Sequence, residues 1–148
     1  MRKLFATVLG LVFASQSNAA FAADAGSQFN LVCRYRSERT TGDATKFSYQ
    51  PADRQGVSYR VDLRAGKYCE GLCQKTSAIA EANATHVVLA ASSQQSSDPD
   101  VARVTHATVL ELASKRLAFA HTGAKGDKIV WGVQELFECT TEKFTGLP

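Results

Sequence analysis

The sequence predicts an all-β fold: a small antiparallel barrel or sandwich of about eight strands, disulfide-bonded. Three observations carry that expectation. From Phe29 onward, most segments alternate apolar and polar residues with period two. Turn signals rich in Gly, Pro, Asp and Ser separate these segments at short intervals. The four cysteines form an even set, and all lie downstream of an N-terminal segment that reads as an export signal.

That first segment starts with basic Met1-Arg2-Lys3 and continues as a largely apolar run, Leu4 to Ala14. Polar residues Ser15 to Asn18 follow, then Ala20-Phe21-Ala22, the small-x-small pattern after which signal peptidases cut. The apolar run is too short to cross a bilayer, and no longer one follows, so the chain is not expected to span a membrane. Residues 1–22 are therefore expected to be a signal peptide and residues 23–148 a single β-domain, periplasmic or secreted. No linker or internal repeat divides it. The whole chain carries 17 Lys and Arg against 14 Asp and Glu, a formal net charge of +3, and losing Arg2 and Lys3 lowers it to +1. Such a balance offers no electrostatic case for nucleic acid as a partner.

Phe29, Leu31, Cys33 and Tyr35 alternate with polar or outward positions and form the first predicted strand. The polar stretch Arg36 to Asp43 reads as a loop. Phe47 and Tyr49 mark a short second strand, stopped by Pro51. Val57, Tyr59, Val61 and Leu63 give the clearest alternation, with Ser58, Arg60, Asp62 and Arg64 on the other face. Ala65-Gly66 turns the chain into Lys67-Tyr68-Cys69, and Ile79 sits in a weak segment. Thr85 to Ala91 is a strand, and Ser92 to Pro99 reads as an exposed loop because it lacks apolar anchors.

Residues 100–122 admit two readings. Pro99 suits a helix start, and Val101, Val104, Thr108 and Leu112 fit a helical stripe. The alternation Val104, His106, Thr108, Leu110, Leu112, answered by Leu117, Phe119 and His121 after a polar turn, favours a hairpin. Gly123 to Lys128 reads as a turn. Ile129 to Thr140 is the last strand, with Trp131, Val133, Glu135 and Phe137 on one face.

Four cysteines allow three pairings. The strand reading favours Cys33–Cys139 with Cys69–Cys73, because barrel closure brings the first and last strands together. Gly71 permits the tight turn that the shorter bridge needs.

At Phe29-x-Leu31-x-Cys33, Tyr59-Arg60-Val61-Asp62-Leu63, Cys69-x3-Cys73 and Phe144-Thr145-Gly146-Leu147-Pro148, the chain resembles small exported bacterial β-domain proteins of unassigned function. The resemblance covers most of residues 23–148. It implies an exported β-domain and carries no catalytic or binding residue with it. A looser likeness is to periplasmic C-type lysozyme inhibitors, which implies, as the alternative role, inhibition of a cell-wall hydrolase such as lysozyme. Unlike them, this chain has no Ser-Gly-rich loop.

Catalytic patterns are sparse, and an enzyme is not expected. No serine sits in Gly-x-Ser-x-Gly. Glu135 and Glu138 fall on opposite faces of one strand, which prevents acid–base pairing between them. Asp62 between Arg60 and Arg64 reads as an exposed ion cluster. Gly123 to Lys128 lacks the Gly-Lys-Ser/Thr ending of a phosphate loop. Arg34, Arg36 and Arg39 read as a solvated stretch. His86, His106 and His121 lack zinc-ligand spacing, although His106 and His121 fall on facing strands of the expected hairpin, so neither a metal nor a cofactor is expected. Phe29, Tyr59, Phe119, Trp131 and Phe137 would either fill the interior or line a cavity for a small apolar ligand. The expected role is non-catalytic binding, of such a ligand or of an envelope protein.

Overall fold

The computed structural model describes residues 25–43 and 55–148. The expected signal peptide, 1–22, and the strand expected at Phe47 and Tyr49 lie outside them. A short 3-10 turn, Ala25–Ser27, enters β1 (Gln28–Gly42), followed by β2 (Val57–Asp62), β3 (Lys67–Glu70), β4 (Ser77–Ala78) and β5 (Glu81–Ala82). The chain continues through β6 (His86–Gln95), β7 (Arg103–Glu111), β8 (Arg116–Lys125) and β9 (Lys128–Glu142). These nine strands form one antiparallel sheet in the order β4-β3-β2-β1-β9-β8-β7-β6-β5, curled into a half-barrel. The fold is all-β, as the alternation predicts.

The two sheet edges, β4 and β5, are separated in the chain by Ile79 and Ala80 alone. Ile79 N–H donates to the Gly66 carbonyl and Ala80 N–H to that of Val88. One short strap thus reaches both edges and satisfies backbone groups on each.

Period two sorts the side chains. Phe29, Leu31, Cys33, Tyr59, Val61, Val87, Leu89, Leu110, Leu117, Phe137 and Cys139 meet in one buried cluster on the concave face. Burial, and Glu70 opposite it, push the Tyr59 phenol well above its ordinary pKa, so it stays neutral. A smaller cluster of Val101, Trp131 and Val133 lies toward the other end of β9. Both cysteine pairs bond as the strand reading expects. Cys33 and Cys139 are register partners on β1 and β9, with Cα atoms 3.9 Å apart, and Cys69 bonds Cys73.

Four expectations are corrected. Arg36 to Asp43 is not a loop: β1 runs on to Gly42, its backbone bonded to Trp131–Leu136 of β9. The ladder accepts polar side chains because its bonds are made by the backbone. For the same reason Ser92 to Gln95 extends β6, exposed yet paired with Arg103–His106. The turn expected over Gly123–Lys128 shrinks to Gly126-Asp127, with Gly126 at φ +61°. Asp62 heads no ion cluster: it accepts from Gln28 Nε2 at 2.7 Å and from the Ala65 N–H at 2.9 Å. Arg64 Nε instead donates to Ser27 Oγ, and Arg60 Nη1 to the Gly146 carbonyl.

Candidate functional site

Two regions of the concave side carry chemistry, one inside the sheet and one at its open end. The inner region begins with the β7–β8 hairpin. Its register sets Leu110 opposite Leu117, Thr108 opposite Phe119 and His106 opposite His121. Directly opposed residues of an antiparallel pair share a face, so both histidines stand with the core residues. Their Nδ1 atoms are 2.5 Å apart and their rings meet edge to face, centroids 4.8 Å apart. On the next strand, β9, Phe119 opposes Glu135 and His121 opposes Val133. Glu135 is therefore the diagonal neighbour of His121, and it is fully buried.

A bulge completes the arrangement. From Phe29 to Tyr35, odd-numbered residues of β1 face inward, and unbroken alternation would continue with Ser37 and Arg39. The register instead shifts between Tyr35 and Ser37, so that Glu38 opposes Glu135 and Thr40 opposes Val133. Four titratable groups, Glu38, Glu135, His121 and His106, thus cross four adjacent strands between the two apolar clusters. His121 is held below its ordinary pKa of 6.5, first by burial and then by His106, while Glu135 pulls the other way.

The sequence-predicted residues divide clearly. His106 and His121 come together. His86 does not join them: it opposes Glu111 near the far end of β7 and bonds Asn83 and Thr85. Glu135 and Glu138 lie on opposite faces, and exposed Glu138 is bonded to Arg36. Sequence reasoning missed Glu38 as the partner of Glu135, because only the bulge turns it inward.

The second region is the end where β1 starts and β9 finishes. A cavity of about 850 Å³ opens there. Phe29, Leu31, Leu110 and Leu112 supply apolar wall, joined by Leu63 and Phe144. Arg64, Lys115 and Lys143 add three cations against one anion, Glu142. Lys115 sits in the β7–β8 turn with a left-handed φ of +55°, and its Nζ donates to Thr141 Oγ1 at 3.0 Å. Of the five aromatics considered from sequence, Tyr59, Trp131 and Phe137 are buried, Phe119 is partly buried against the core, and only Phe29 reaches this cavity. The middle of the half-barrel is filled, and its end is hollow.

Among the described residues no helix is long and apolar enough to cross a membrane. Comparison with protein-family models, with curated proteins and with solved structures finds no match.

Proposed function

We propose that this chain is an exported, non-catalytic binding domain whose end cavity holds a small apolar ligand bearing an anionic head. The cavity carries the reading. Its volume falls within the range of small-molecule sites, and its walls combine apolar side chains with a few polar groups. A long apolar tail would bury against Leu31, Leu110 and Leu112, each methylene contributing about 0.8 kcal/mol. The three rim cations would meet a carboxylate or phosphate head in partly screened surroundings. Export is supported by the Ala20-Phe21-Ala22 cleavage pattern and is compatible with the two disulfides.

A fluorescent long-chain fatty acid, with the alcohol of equal length as comparator, tests the ligand reading. Saturable binding of the acid is expected, weaker for the alcohol and weakened about tenfold by Leu112→Trp, which fills the cavity. Failure of both probes to bind would overturn it. N-terminal mass analysis of the exported protein tests the export reading, with Ala23 expected as the first residue and retained Met1 counting against it.

A further inference from the structure

Two imidazoles from facing strands meet nitrogen to nitrogen on the concave face. His106 and His121 are register partners on β7 and β8, and their Nδ1 atoms approach to 2.5 Å. Two nitrogen lone pairs cannot face each other at that separation. One Nδ1 must carry a proton that the other accepts. Where two imidazole lone pairs converge on one proton, a metal cation can take the proton's place, the ring that carried it changing tautomer so that its proton sits on Nε2.

The geometry points to a binding site for a divalent first-row transition-metal ion, held by His106 Nδ1 and His121 Nδ1. It is independent of the cavity at the sheet's end. Imidazole suits copper and zinc, and the general affinity order puts Cu2+ ahead of Zn2+. With metal–nitrogen bonds of about 2.0 Å and a tetrahedral angle, the two nitrogens would stand roughly 3.3 Å apart. The rings therefore swing apart by about 0.8 Å around tetrahedral Zn2+, and by about 0.3 Å around Cu2+ with its cis angle of about 90°, and both side chains are only half-buried, which leaves them room. Buried Glu135 is the diagonal neighbour of His121 on β9, and Ser92 opposes His106 from β6. Among the described residues no third His, Cys, Asp or Glu converges with the pair. Two protein nitrogens with water in the remaining positions bind modestly, with a dissociation constant on the order of micromolar expected.

Titration of the folded, chelator-free chain with CuCl2 and with ZnCl2, read by calorimetry, tests the proposal. Copper additionally gives nitrogen hyperfine structure in its electron paramagnetic resonance spectrum. One ion per chain is expected, Cu2+ tighter than Zn2+, with two-nitrogen splitting. His106→Ala and His121→Ala should each weaken binding at least tenfold while His86→Ala leaves it unchanged. Circular dichroism of each variant establishes that it is folded, and His106→Gln serves where the alanine variant does not fold. Absence of saturable binding, or equal binding by wild type and a folded His106 variant, would overturn the proposal. So would loss of binding in His86→Ala.

Discussion

Trp131 shows how closely single residues are matched in this sheet. It is opposed by Gly123 on β8 and by Gly42 on β1, so the largest side chain of the smaller cluster stands between two residues that have none. A Cβ built on Gly123 would run into the Trp131 indole, whereas one on Gly132 would meet only ordinary contacts of 3.7 Å or more. Gly123→Ala is expected to cost about 1–3 kcal/mol by overpacking, and Gly132→Ala much less; urea denaturation of both variants checks the contrast. His121 gives a second prediction at this scale. Its folded pKa lies below 6.5, so the folded state binds fewer protons there than the unfolded chain does. Stability is then fully present above 6.5 and is lost as pH falls from there through the folded value. His106, Glu135 and Glu38 face the same region. The melting temperature should fall between about pH 7.5 and pH 5, and less steeply in His121→Asn. Equal slopes would remove His121 from the account.

Strands and turns show what alternation can and cannot specify. The hairpin of β7 and β8 was legible because its apolar residues repeat every second position on both sides of a polar turn. The second half of β1 and the end of β6 were not legible, since their side chains are exposed and only backbone bonds hold them. The β8–β9 turn isolates a purely conformational effect. Gly126 has φ +61°, and a Cβ there would meet nothing within 4 Å. Gly126→Ala should therefore destabilise by about 1 kcal/mol through backbone strain alone, without the steric cost of Gly123→Ala. Gly126→Asn should recover part of the loss, since Asn tolerates the left-handed region, and thermal melts of the two variants decide it.

For the whole molecule, the Cys33–Cys139 bridge matters most, because it closes a sequence separation of 106 residues where Cys69–Cys73 closes 4. Loop-closure entropy grows with the logarithm of loop length, so serine replacement of the first pair should cost roughly 1–3 kcal/mol more than replacement of the second. Chemical denaturation of the two double variants measures the difference, and a greater loss from the Cys69 and Cys73 variant would contradict the argument. The bridge joins β1 to β9 at the middle of the sheet order, not across an open seam. The seam lies between β4 and β5 and is tied by backbone bonds from Ile79 and Ala80.

By itself the sequence determined the all-β class and the inward faces of the clear strands, and it favoured the β7–β8 hairpin and the cysteine pairing. The first three follow from local periodicity, whereas the pairing was favoured on a barrel closure that the sheet does not make there, since β1 and β9 are neighbours in mid-sheet. Tertiary structure decided everything that depends on which strand lies beside which, and at what offset. Register turned two histidines without metal-ligand spacing into a pair in contact. A one-residue bulge after Tyr35 reversed the faces of β1 and set Glu38 against Glu135. The cavity formed at the sheet's end from β1, β7, the β2–β3 and β7–β8 turns and the C-terminal segment, which no local pattern links. Period two assigns a residue to a face, but a neighbour across the sheet is set by long-range pairing, where a slip of one residue exchanges the two faces.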